Sequence, residues 1–219
     1  MMLVFAYTAA VILGVCTLKG GAGKTTTAML LATCAAADQP VTVIDADTEL
    51  NAYLWATTAQ RSGDPLPFEV VRGDAEGLPR QAREIAATGR IVVIDTPPNS
   101  PAAMMSAAIG SDAVVVPVSP STMDLSRLSR TMGVLEDVRV GRPDMKISVL
   151  VTRYAAGTIM ADTVQEVLAQ HPLLPKMVRE LERFKRVFGT TPPRVLLDEY
   201  QPNWLALRGM IRGVGDAGA

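Results

Sequence analysis

Short apolar runs of strand length alternate with longer stretches of helical periodicity along most of the chain. The runs fall at residues 11–17, 41–44, 68–71, 91–94, 113–118 and 147–152. Most are unbroken and rich in Val and Ile, as expected of parallel strands covered on both faces. Helical spacing between them predicts helices over 25–37, 48–61, 76–88, 102–109, 125–138 and 161–170. This β–α alternation predicts an α/β fold with a doubly wound, mostly parallel sheet flanked by helices. No internal repeat, low-complexity tract or long linker interrupts it. The reading is therefore a single domain over residues 1–219, with residues 1–10 as a leader.

Toward the C-terminus the pattern loosens. Leu174, Val178, Leu181, Lys185 and Phe188 keep helical spacing, yet Met177 to Leu181 also reads as a short edge strand. Thr190-Thr191-Pro192-Pro193 breaks any helix. Residues 203–211 read as a final short helix, and the glycine-rich residues 213–219 as a frayed tail.

Composition narrows the function classes. Of 219 residues, 48% are hydrophobic and 20% charged, the balance of a soluble globular protein. A net charge of −1 excludes nucleic-acid binding driven by overall charge, and leaves a local basic face open. Cys16 and Cys34 have no CxxC spacing and read as buried, reduced core residues. Met1 to Leu18 carries no charged residue, but a secretory signal would need a basic segment ahead of the apolar stretch. A membrane span takes about 20 apolar residues, and Tyr7, Thr8 and Thr17 dilute this run. The chain reads as cytoplasmic.

The chemistry concentrates at the ends of the predicted strands. Residues 17 to 27 read Thr-Leu-Lys-Gly-Gly-Ala-Gly-Lys-Thr-Thr-Thr, directly after a strand and directly before a helix. Gly20, Gly21 and Gly23 let the backbone turn tightly enough for successive N–H groups to face phosphate oxygens. The positive end of the following helix strengthens that field. In such a loop Lys24 reaches the β- and γ-phosphates, and the Thr25 hydroxyl is placed to ligate Mg²⁺. The strict phosphate-loop pattern asks for Gly at position 18, where Leu18 stands, and a second lysine, Lys19, follows it. Asp45 and Asp47 end the second run two residues apart, so an extended strand would aim both to one side. A polar strand exit capping the next helix would also explain them. Ile91-Val92-Val93-Ile94-Asp95 is a hydrophobic strand ending in aspartate, positioned to hold Mg²⁺ through water. Pro97 and Pro98 stiffen the turn behind it.

Lys19-Gly20-Gly21-Ala22-Gly23-Lys24-Thr25-Thr26 resembles the deviant Walker A loop of the ParA/MinD superfamily, a P-loop NTPase group whose relatives include nitrogenase iron protein and arsenite-pump ATPases. The resemblance implies ATP and Mg²⁺ as cofactors, held by Lys19 through Thr26. It also implies that Lys19 crosses to the other subunit's phosphates in a homodimer formed with ATP, so that hydrolysis waits on dimerisation in the manner of an arginine finger. Residues Asp45 to Asn51 resemble the superfamily's DxDPQxN/S block, with Thr48 and Glu49 where Pro and Gln are usual. On that match Asp47 orients the attacking water and Asp45 supports the Mg²⁺ shell alongside Thr25 and Asp95. Asp95 to Pro98 is similar to the superfamily's DTPP switch. Leu150 to Arg153 resembles the strand end lining the base pocket, which puts Thr152 and Arg153 near adenine. The single His171, before Pro172 at a predicted helix end, reads as a C-terminal cap.

Within the superfamily, the chain looks like the small plasmid-type ParA proteins. No helix-turn-helix domain precedes the loop, no basic amphipathic helix ends the chain to grip a membrane, and no cysteines follow the switch strands to hold a cluster. Such proteins bind DNA without sequence preference as ATP dimers, have slow basal turnover, and act on the nucleoid with a DNA-site-binding partner of the ParB/ParG kind. From Lys176 to Arg212 eight basic residues face four acidic ones, an excess that suits phosphate contacts, with Arg183, Lys185 and Arg186 as candidates. An ordinary solvated surface has the same composition. Two other readings stand beside partition: a ParA-like positioner of a protein cargo, and a metabolic P-loop synthetase, for which a trans-acting lysine has no use.

Overall fold

The chain winds through a repeated strand–helix unit: β1 (Ile12–Val15), α1 (Lys24–Ala35), β2 (Val41–Asp45), α2 (Asn51–Arg61), β3 (Glu69–Arg72), α3 (Leu78–Ala86), β4 (Ile91–Asp95), α4 (Pro101–Gly110), β5 (Ala113–Val118), α5 (Thr122–Gly141) and β6 (Lys146–Val151). A long final helix, α6, spans Arg194–Arg212. The computed structural model describes residues 11–74, 76–155, 168 and 170–212. The expected leader and tail, and nearly all of the helix expected over 161–170, lie outside these residues.

All six strands join one parallel sheet in the order β3-β2-β4-β1-β5-β6. The expected doubly wound α/β architecture is the one observed. Strands β2, β4 and β5 are buried at every residue, which accounts for their unbroken apolar runs. At the edge, β3 exposes Glu69 and Arg72 and half-buries Val70 and Val71. Alternate strand residues feed two cores. Leu13, Val15, Val43 and Val93 pack with α1, α2 and α6, while Ile12, Ile44, Ile94 and Val116 pack with α3, α4 and α5. Cys16 and Cys34 are buried free thiols, as expected. Among the described residues no helix is long and apolar enough to cross a membrane.

Three elements differ from the sequence expectation. Helix α2 begins at Asn51 and not at residue 48, because Asp47, Glu49 and Leu50 form a turn: Leu50 N–H donates to the Asp47 carbonyl at 3.0 Å, and Leu50 sits at φ 54°. Residues 173–188 are neither a helix nor a strand throughout. They follow the free edge of β6 through two isolated parallel bridges, Val149–Leu173 and Tyr154–Arg179, then make a 3-10 turn over Glu182–Arg186. Helix α6 starts nine residues before position 203, with Pro202 inside it. A proline there has no N–H for the Asp198 carbonyl, and the Lys176 ammonium donates to that carbonyl instead, at 3.0 Å.

Candidate functional site

In an open parallel sheet, ligands bind beyond the carboxyl ends of the strands, where the winding direction switches. Here that point is the end of β1, which lies between β4 and β5. The loop leaving it turns through Gly21 (φ 74°) and Gly23 (φ 86°), conformations that a side chain would strain. Gly23 caps α1 with no side-chain hydrogen bond, so the first helical N–H groups stay free for an anion. Lys24 folds back over the loop, donating to the Lys19 carbonyl at 3.0 Å. Burial lowers its pKa, and the charges of Asp95 and Asp47 oppose that shift. The DTPP turn closes the loop's other side: the Asn99 N–H donates to the Leu18 carbonyl at 3.1 Å, and Thr96 Oγ1 to the Val15 carbonyl at 2.8 Å.

Strand register brings the carboxylates to this loop. Asp45 pairs with Asp95 across β2 and β4, and Asp95 pairs with Val15 across β4 and β1. Their surroundings then divide their roles. Asp45 Oδ1 accepts the Asp47 N–H at 3.1 Å and Oδ2 accepts the Tyr53 N–H at 2.9 Å, which pins the turn between β2 and α2. Burial still raises its pKa against those two bonds. Asp95 is fully buried, and among the described residues neither of its side-chain oxygens makes a hydrogen bond of good geometry, though the Thr25 hydroxyl stands close. Burial is the main force pushing its pKa from 3.8 to about 7; the Thr25 hydroxyl and the Lys24 charge act against it, and Asp45 adds to it. A fully buried carboxylate left unpaired is costly unless a cation belongs beside it, and Thr25 stands next to it. Thr25 and Asp95 therefore fit a hydrated Mg²⁺, and Asp45 is committed chiefly to the turn. Asp47 Oδ1 accepts the Glu49 N–H at 3.1 Å, and Asp47 lines a cavity of about 280 Å³ with Gly21, Lys24, Thr25, Asn51 and Pro98.

A second cavity of about 340 Å³ shares Gly23, Thr26 and Arg153 with the first. Thr152 and Arg153 both line it. The Thr152 hydroxyl is 3.3 Å from the Ala22 and Val118 carbonyls, so it ties the loop to β5. The remaining wall consists of Val178, Arg179, Glu180, Leu181, Phe184, Lys185 and Tyr200, none of which the sequence reading placed at a base pocket. Only helical spacing marked parts of that segment, and spacing carries no information about a wall built from irregular chain.

Lys19 meets an unforeseen partner. Its ammonium pairs with Asp124 Oδ1 at 2.9 Å, and Ser119 Oγ donates to the other oxygen of the same carboxylate. Although burial pushes the Asp124 pKa up, the bonds from Ser119 and Lys19 hold it below the usual carboxylate range. Asp124 is the third residue of α5, and its N–H donates to Ser121 Oγ at 3.1 Å. The spacing Ser121-x-x-Asp124 is a capping-box signature and could have flagged this acid in the sequence.

The basic excess near the C-terminus is largely spoken for. Lys176 and Arg179 pair with Glu199, Lys185 with Glu182, Arg194 with Asp198, and Arg208 with Asp38. Arg183, Lys185 and Arg186 are all exposed on the 3-10 turn beside the second cavity. Of these, Arg183 and Arg186 make no ion pair among the described residues.

The family described as CobQ/CobB/MinD/ParA nucleotide binding domain matches residues 13–190. A carboxysome-distribution protein, "Maintenance of carboxysome distribution protein A" from Gloeobacter kilaueensis, is 36% identical over 115 residues, 52% of this chain and 51% of that protein. The chain thus spans about half the length of that relative in the match. "Chromosome-partitioning ATPase Soj" from Thermus thermophilus is 29% identical over 200 residues, 75% of this chain and 80% of that protein. Among solved structures, cobyrinic acid a,c-diamide synthase from Mycobacterium smegmatis with bound ATP analog and magnesium shares the fold, with a TM-score of 0.72 at 17% identity over 91% of this chain and 94% of that one.

Proposed function

The chain belongs to the CobQ/CobB/MinD/ParA nucleotide-binding family, and from that premise we propose that it is a ParA-like ATPase that dimerises around ATP and positions DNA. The observation that carries the reading is the pairing of a free helix N-terminus at Gly23 with the buried, unpartnered carboxylate of Asp95. Together these suit a triphosphate and its divalent ion. Thr25 and Asp95 would hold Mg²⁺, whose charge offsets that of the phosphates. Gly20 through Thr26 direct backbone N–H groups at phosphate oxygens, and Lys24 adds a cation to them. Asp47, at the cavity wall, aims the attacking water. Lys19 serves the partner subunit's phosphates, and to reach them it has to leave Asp124. Basal turnover is then slow, because a lone subunit keeps that lysine at home.

On this reading the ATP dimer binds duplex DNA without sequence preference through Arg183, Lys185 and Arg186, in the cytoplasm and on the nucleoid, with a ParB/ParG-like protein as partner. Among the described residues two of the three are without an ion pair, so the contact is weak and salt-sensitive. A mobility shift with Mg²⁺–ATP, ADP or no nucleotide tests it across a salt series. DNA binding by the ATP form, lost when all three residues become Glu while basal hydrolysis survives, supports partition. No shift by the ATP form at low salt removes that mechanism.

Similarity to a carboxysome-distribution protein favours a second reading, in which the same ATPase cycle positions a protein cargo. Capture by the Asp47→Ala protein with ATP separates the two, through a DNA-site-binding protein in one case and a cargo adaptor in the other. A synthetase role has less support, since such an enzyme needs no lysine at position 19.

A further inference from the structure

The second cavity has a wall with little secondary structure of its own, held by backbone bonds to the end of β6 on one side and by side chains of α6 on the other. Residues 176–181 run as irregular chain to the cavity, and on one side the β6 exit ties them by backbone bonds: the Val178 N–H donates to the Val151 carbonyl at 2.8 Å, and the Tyr154 and Glu180 N–H groups donate to the Val178 and Tyr154 carbonyls at 2.9 Å. Two side chains on α6, one turn apart and both 0% exposed, grip this segment. Asn203 accepts the Lys176 N–H and donates to the Lys176 carbonyl, both at 2.9 Å. Glu199 accepts the Arg179 N–H on Oε2 at 3.1 Å. Its Oε1 takes Arg179 Nε at 3.0 Å and Nη2 at 2.6 Å, with Lys176 Nζ at 3.4 Å. Between the grips, Tyr200 enters the cavity wall, lies 3.3 Å from Thr27 Oγ1 through its hydroxyl, and packs edge-on against Phe184.

A buried carboxylate met by three hydrogen bonds from Arg179 and by the Lys176 ammonium fixes the loop more tightly than apolar contact would, since moving the loop would leave the charge unpaired. Glu199 does not line the cavity itself. We propose that Glu199 is a positioning residue for nucleotide recognition: by clamping Lys176 and Arg179 it holds residues 179–181 against the base, and so sets affinity for the nucleoside part of the ligand without touching it. This rests on the nucleotide-site reading above. The two cavities meet at Gly23, Thr26 and Arg153, but Lys24, Thr25 and Asp47 line only the other one, so the clamp governs one half of the site.

The test compares two probes by calorimetry in the presence of Mg²⁺: ATP, which fills both halves, and inorganic tripolyphosphate, which fills only the phosphate half. Glu199→Gln keeps the shape and removes the charge. The expected result is ATP affinity lowered about tenfold with tripolyphosphate affinity within about twofold of the parent protein. The preference for ATP over GTP should narrow in the same variant. A mere loss of stability would weaken both probes together or neither. Lys176→Met, which frees one arm of the clamp at a residue outside the cavity wall, should give the same pattern more weakly, and it decides the matter if Glu199→Gln does not fold. Equal losses for the two probes, or no loss for ATP, overturn the proposal. If the unmodified protein binds neither probe, the nucleotide-site reading itself fails and takes the clamp with it.

Discussion

The two halves of the candidate site are built in opposite ways. The phosphate half stands on strand ends: β1, β2 and β4 deliver Lys24, Asp45 and Asp95 through parallel register, and the intervening loops are short. The base half stands on irregular chain held between the β6 exit and α6, with the contacts to α6 running between residues 20 and 27 apart in sequence. Regular backbone carries the first, and buried polar side chains add to a few backbone bonds in carrying the second. Changes in the phosphate half should therefore abolish chemistry outright, whereas changes in the base half should alter how well and which nucleotide binds.

Lys24→Ala attacks the phosphate half most directly. The side chain donates only to a backbone carbonyl within its own loop, so the fold should survive its loss. ATP affinity should fall about a hundredfold or more, read by calorimetry, because a charge-assisted contact to phosphate disappears from a buried site. ATP binding that survives in the folded variant would move the phosphates elsewhere. Asp47→Ala sharpens the division within that half: ATP binding should stay within a few-fold, while phosphate release falls about a hundredfold. Turnover at the parent rate would assign the water to another group.

Asp95→Asn should cut both ways. Its carboxylate is buried without a partner, so the neutral amide should raise the melting temperature of the metal-free protein by several degrees. The same change should erase the effect of Mg²⁺ on ATP binding. Asp124→Asn is the mildest of the set. Releasing Lys19 from a pair of side chains 25% and 5% exposed should favour the ATP dimer about threefold in sedimentation experiments. A dimer fraction unchanged or lowered would mean that Asp124 does not hold Lys19 in reserve.

How far the sequence could be read follows the same division. Strands β2, β4 and β5 were legible because burial on both faces leaves unbroken Val and Ile runs, and the glycine and lysine spacing of residues 19–25 encodes a geometry local to one loop. The start of α6 was not legible. A proline in a helix interior costs about 3 kcal/mol, and Pro202 stands inside this one. Lys176 relieves the exposed Asp198 carbonyl from 22 residues away, which no local pattern announces. The basic excess near the C-terminus was legible only in part, for a related reason. Counting charges could not show that Glu199 holds Lys176 and Arg179 while Asp38 holds Arg208. Lys19 was legible as a special residue, but its partner Asp124 lies 105 positions on, across the sheet.

The central claim is that this chain closes into a dimer around ATP, with Lys19 completing the partner's site. Light scattering of the Asp47→Ala protein, with Mg²⁺–ATP and with ADP, tests it most directly, because that variant should bind ATP and be slow to spend it. A molar mass that doubles with ATP, stays single with ADP, and fails to double once Lys19→Ala is added is the predicted result. A single-chain mass with saturating Mg²⁺–ATP, or doubling that persists without Lys19, would contradict it.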